Sequence, residues 1–155
     1  MFWELCVAFS IVAVCLVLHV ASIVVMAGWL VDQRDKRKKT LRGMGYIVLL
    51  IATFSAIIVV HMIETAIWAT FYYVRGLFPD FETSLYFSIT SYTTIGFGDV
   101  VLPRAWRMLG GIEGISGVLL CGLSTAFVFA IVNALFQMRL QRRNTDAPVR
   151  SDSIN

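Results

Sequence analysis

The chain has 155 residues, 58% of them apolar and 15% charged, with a formal net charge of +3. That composition excludes an ordinary soluble domain and is that of a membrane protein. The three cysteines, Cys6, Cys15 and Cys121, sit within apolar stretches at spacings that suggest neither a disulfide framework nor a metal site.

Residues 2–31 form the first apolar run, longer than the roughly 20 residues that cross a bilayer. No basic residue precedes it, and it ends in charge rather than at a small-residue cleavage site, so a retained helix is expected instead of a signal peptide. Trp3 and Trp29 lie near its ends, as interfacial aromatics do. His19 is a lone polar group at mid-span, read as a hydrogen-bonded interior histidine or a proton sensor.

Residues 32–43, DQRDKRKKTLRG, make a basic linker carrying Arg34, Lys36, Arg37, Lys38, Lys39 and Arg42. Basic residues in short loops stay on the cytoplasmic side. They also offer a contact to anionic lipid. With no aromatic residues interleaved, the run does not suggest nucleic acid.

The second span covers residues 44–74, a helix of ~45 Å that must tilt or extend beyond the hydrocarbon. His61 and Glu64 inside it stand three residues apart and share a face. They could hold a metal together, but two ligands alone make a poor site. Trp68, Phe71, Tyr72 and Tyr73 form an aromatic belt, and Arg75-Gly76 stops the helix.

Pro79-Asp80 opens a short segment, residues 80–93, with Asp80 as its expected N-cap and Glu82 in the first turn. It is too short to cross a bilayer and too rich in Ser, Thr and Tyr to face lipid. A re-entrant helix enclosed by protein is expected. Residues 94–99, Thr-Ile-Gly-Phe-Gly-Asp, then leave helical structure altogether. Non-helical backbone at membrane depth is tolerated only where protein encloses it or water lines it. Gly96 and Gly98 alternate with larger residues, and glycine reaches positive φ at no steric cost. Such a backbone can turn its carbonyls to one side.

Residues 106–138 form the third span, with Gly110, Gly111, Gly114, Gly117 and Gly122 along it. Small residues allow close helix packing. Gly117 and Gly122 are also the two hinge candidates, and the sequence does not choose between them. Residues 139–155 are expected to form a short cytoplasmic tail rather than a ligand-binding domain. Lys and Arg number six in 32–43 and four in 139–155, against three elsewhere. This bias puts linker and tail in the cytoplasm and the N-terminus outside.

Glu64 and Glu113 fall ~15 Å and ~10 Å below the outer helix ends, where charges normally face the bundle interior. They are expected to brace the back of the 94–99 segment, bonded to groups such as Tyr92 or Thr93, or to take part in its gating, with His61 beside them.

Thr94-Ile95-Gly96-Phe97-Gly98-Asp99 resembles the signature of potassium channels, Thr-Val-Gly-Tyr-Gly-Asp in its commonest form, and the resemblance extends over roughly residues 44 to 138. Ile replaces Val and Phe replaces Tyr, which removes a hydroxyl that can tie the filter to its pore helix. The resemblance implies an all-α membrane protein: three transmembrane helices plus a re-entrant pore helix and selectivity filter. K+ would be coordinated by the carbonyls of Thr94, Ile95, Gly96 and Phe97, with Gly98 completing the turn and Asp99 at the outer mouth. Ile95 and Phe97 would point their side chains back against the pore helix. One strip of carbonyls cannot encircle an ion, so a homotetrameric pore is expected. No span carries the repeated arginines of a voltage sensor. The expectation is a potassium-selective channel of the cell membrane, with no enzymatic activity and no cofactor beyond the transported ion. The alternatives are a weakly selective cation channel and a non-conducting subunit of a larger transporter.

Overall fold

The computed structural model describes residues 2–36 and 43–145. The central part of the basic linker, with Arg37, Lys38, Lys39 and Arg42, and the tail from residue 146 onward lie outside the described residues. Four α-helices follow in order: α1 (Phe2–Lys36), α2 (Gly43–Val74), α3 (Phe81–Tyr92) and α4 (Arg107–Thr145), the last preceded by a single 3₁₀ turn at Arg104–Trp106. There is no strand among the described residues, and the protein is an all-α membrane protein. Three helical segments are long and apolar enough to cross a membrane: Phe2–Asp32, Ile47–Val74 and Arg104–Gln137.

Two boundaries run past the sequence expectation. α1 continues through the charged residues to Lys36, and α4 continues through the arginine-bearing stretch to Thr145. Transfer into hydrocarbon ends where charge begins, but helical hydrogen bonding does not, because Arg, Gln and Leu are good helix formers. Glycine closes α2: Gly76 takes φ 66°. The Leu77 N–H donates to the Tyr72 carbonyl at 3.0 Å and the Gly76 N–H to the Tyr73 carbonyl at 2.9 Å, the paired bonds of a Schellman cap. Arg75 then sits 5.3 Å over the Trp106 ring, tying the end of α2 to the start of α4.

α3 is held between α2 and α4, and α1 lies against α4 and α2. Asp80 starts α3, accepting from the Thr83 N–H at 2.7 Å. That backbone bond holds its carboxyl below the usual aspartate range. Around the upper half of α3, Tyr72, Phe78 and Phe87 pack edge-on or tilted at centroid distances of 5.1 to 6.1 Å. Hydrocarbon gives helices no hydrophobic reason to associate, so small residues and polar contacts join them. The buried set accordingly includes His19, Glu64, Thr65, Ser84, Ser88, Glu113, Ser116 and Ser124, while Val, Leu and Ile side chains fill the exposed surface.

The α4 glycines are the seat of α3. A Cβ at Gly110 would lie 3.1 Å from the Phe87 ring, and one at Gly114 would lie 3.0 Å from the Ser91 carbonyl oxygen. One at Gly117 would overlap the Tyr92 carbonyl oxygen. These positions recur at four and three residues, a single stripe on the helix. Gly122 meets nothing within 4 Å. Gly117→Ala should therefore destabilise the folded protein by about 1–3 kcal/mol through overpacking against backbone that cannot retreat. Gly122→Ala should be neutral or stabilise by up to about 1 kcal/mol through helix propensity. Melting followed by circular dichroism in detergent checks both.

Candidate functional site

The segment after α3 has no regular structure, and its backbone alternates in hand. Thr94 has φ 59°, Gly96 φ 51° and Gly98 φ 83°, so every second residue lies in the left-handed region. In a strand of uniform φ, successive carbonyls point to opposite sides. Reversing the hand at alternate residues brings them to one side, the same geometry that aligns N–H groups in a backbone nest. Glycine adopts this conformation freely, but a β-branched threonine does so at a cost of about 1–3 kcal/mol. The sequence carries no signal for the strain at Thr94. Two hydrogen bonds pin the segment to the end of α3: Thr94 N–H to the Ser91 carbonyl at 2.9 Å, and Gly96 N–H to the Thr90 carbonyl at 3.1 Å.

The side chains of this segment do not wedge against their own subunit. Ile95 is 57% exposed and Phe97 69%, unlike the expectation that they point back against α3. At the end of the segment away from α3 in sequence, the Tyr86 hydroxyl donates to Asp99 Oδ2 at 2.8 Å and orients that carboxylate. The bond to Asp99 in turn pushes the Tyr86 pKa up. Tyr86 was invisible as a site residue because thirteen residues separate it from its partner.

Both buried acids lie behind the segment, and each serves a different group. Glu113, fully buried, accepts from the Tyr72 hydroxyl at 2.7 Å and lies 2.5 Å from Ser88 Oγ. Ser88 Oγ is also 2.8 Å from the Thr65 carbonyl. Glu113 thus joins α4 to α2 and to the middle of α3. Glu64, also fully buried, accepts from the Tyr92 hydroxyl at 2.5 Å. Tyr92 is the last residue of α3, two positions before Thr94. Thr93 bonds instead to the Ile89 carbonyl within α3.

Glu64 has two further neighbours. Oε1 is 2.9 Å from His19 Nδ1, and Oε2 is 3.1 Å from His61 Nδ1. The other nitrogens of both rings converge on one hydroxyl: Ser124 Oγ lies 3.0 Å from His19 Nε2 and 3.2 Å from His61 Nε2. His61 Nδ1 is also 2.9 Å from the Tyr92 hydroxyl oxygen. One residue each from α1, α3 and α4, and two from α2, therefore meet at a single point. His61 and Glu64 were paired by spacing alone, but His19 and Ser124 reach them across 45 and 63 residues.

The Glu113 contacts set an expectation about substitution. Ser88 carries one hydroxyl proton and stands between two oxygens, so a group that donates from the Glu113 position satisfies all three contacts. Glu113→Gln offers an acceptor to Tyr72 and a donor to Ser88, and its stability should stay within about 1 kcal/mol of wild type. Glu113→Ala leaves the Tyr72 hydroxyl buried without a partner and should cost about 1–3 kcal/mol. Thermal denaturation in one lipid-like detergent compares the two.

A family model described as "Ion channel" matches residues 46–134, more than half of the chain. The match takes in nearly all of α2, the whole of α3 with the irregular segment, and most of α4, and it leaves out α1. No curated protein and no solved structure matches the chain. With three membrane-length helices, a short enclosed helix and a left-handed alternating segment at its end, the chain belongs to the ion channel family, to which it adds an N-terminal helix.

Proposed function

We propose that four copies of this chain form a potassium-selective pore that passes K+ down its gradient through the cell membrane. The observation that carries this reading is the alternation of backbone hand at Thr94, Gly96 and Gly98. A potassium ion in a narrow pore gives up its water, and oxygens of similar strength must replace that shell. The carbonyls of Thr94, Ile95, Gly96 and Phe97 supply one strip of them. Four strips around an axis supply rings, with K+ held between successive rings. The exposure of Ile95 and Phe97 in a lone subunit supports the same reading, since neighbouring subunits would cover them.

Asp99, held by Tyr86, gives the outer mouth a negative field that concentrates cations. The N-terminus and this mouth face outward, and the linker and tail face the cytoplasm, by the bias of basic residues. Anionic lipid meets the basic linker on that side. Gly117 is packed against Tyr92 while Gly122 meets nothing within 4 Å, which favours Gly122 of the two hinge candidates.

The test is a bi-ionic reversal potential from the purified protein in a planar bilayer, with barium block as a check on the filter. Reversal should move strongly toward the potassium equilibrium potential, and barium should block. Equal sodium and potassium permeability would assign the chain to weakly selective cation channels instead. An absence of current together with a monomeric mass in lipid would leave a non-conducting subunit.

A further inference from the structure

We infer that His19, His61 and Glu64 form a binding site for a zinc-like divalent transition metal, joining the N-terminal helix to the ion channel domain. The inference does not depend on which ion the pore conducts. The ligand atoms of these three residues lie within 4.8 Å of one another, and His19 and Glu64 are fully or almost fully buried. His61, with 14% of its side chain exposed, is the accessible member.

The arrangement of the two rings argues for a cation here. Glu64, His19, Ser124 and His61 close a ring of four contacts, at 2.9, 3.0, 3.2 and 3.1 Å. Both Nδ1 atoms, carried by two different helices, face one buried carboxylate inside an apolar bundle. A cation among these three ligand atoms would offset the buried negative charge and take up a lone pair from each ring.

A metal ion fits this arrangement. Imidazoles that ligate through Nδ1 carry their protons on Nε2. Both Nε2 atoms of this site already point at Ser124 Oγ, which has two lone pairs to accept them. Ser124 then fixes the tautomer and orientation of both rings, as outer groups do in metal sites. The nitrogen to carboxylate distances agree as well. Ligand bonds of about 2.0–2.1 Å in a tetrahedral site place neighbouring ligand atoms about 3.3 Å apart. The present Nδ1 to carboxylate separations of 2.9 and 3.1 Å need open by only a few tenths of an ångström. The Tyr92 hydroxyl, 2.9 Å from His61 Nδ1 and 2.5 Å from Glu64 Oε2, borders the site, and water would supply the fourth ligand. Imidazole and carboxylate together suit zinc rather than calcium or magnesium.

The experiment titrates the full-length purified protein in lipid nanodiscs with zinc alone and measures bound metal per chain. One zinc ion per chain should bind saturably. His19→Ala and His61→Ala should each weaken binding by at least about tenfold to a hundredfold. A variant with Cys6, Cys15 and Cys121 all changed to Ser should bind as wild type does. Zinc X-ray absorption on the unaltered protein needs no variant, and should show nitrogen and oxygen near about 2.0–2.1 Å with no sulfur near about 2.3 Å. Absence of saturable binding, a sulfur shell, or binding lost only in the cysteine-free variant would overturn the site.

Discussion

A carboxyl group enclosed by a hydrocarbon-bounded bundle has no water to turn to, and whatever it bonds becomes part of the architecture. Two such groups govern this protein. Glu113 gathers Tyr72 of α2 and Ser88 of α3 onto α4. Glu64 gathers Tyr92 of α3, His61 of its own helix and His19 of α1. In an interior of low dielectric such bonds are stronger than in water, and leaving one unmade is correspondingly costly. The short helix α3 is therefore held at its middle and at its end by charged or ionisable groups, and along its side by the glycine stripe of α4.

This anchorage explains how a strained segment can persist. A threonine in the left-handed region survives only where its surroundings over-determine it. Thr94 follows a helix whose last residue is bonded by its hydroxyl to Glu64 and seated by its carbonyl on Gly117. Its own N–H, and that of Gly96, are tied to the carbonyls of Ser91 and Thr90. The backbone of this segment is thus held by its supports rather than by its own conformational preference.

α1 is the part of the chain outside the ion channel match, and yet it is not a peripheral appendage. His19, near the middle of α1, enters the same cluster that holds the end of α3. The added helix thereby supplies a histidine to the buried carboxylate that holds the end of α3. The apolar residues of α1 contribute shape, whereas His19 contributes chemistry.

Helix number, span length and the place of the irregular segment were legible from residue order, because each depends on local quantities: apolar length, glycine alternation and the positions of charge. Asp80 as the start of α3 was legible for the same reason, its bond to Thr83 being three residues long. Partnerships between helices were not legible. A helix that is apolar all round has no face that announces its neighbour, so nothing in the order of residues could set His19 against Glu64 or Tyr72 against Glu113. Tertiary structure alone decided those pairs, as it decided which glycines touch α3 and that Ile95 and Phe97 stay uncovered within one subunit. The reason is physical: in hydrocarbon, the contacts that select one packing over another are a few polar bonds and close approaches between residues 23 to 105 positions apart, and these exist only once the helices have met.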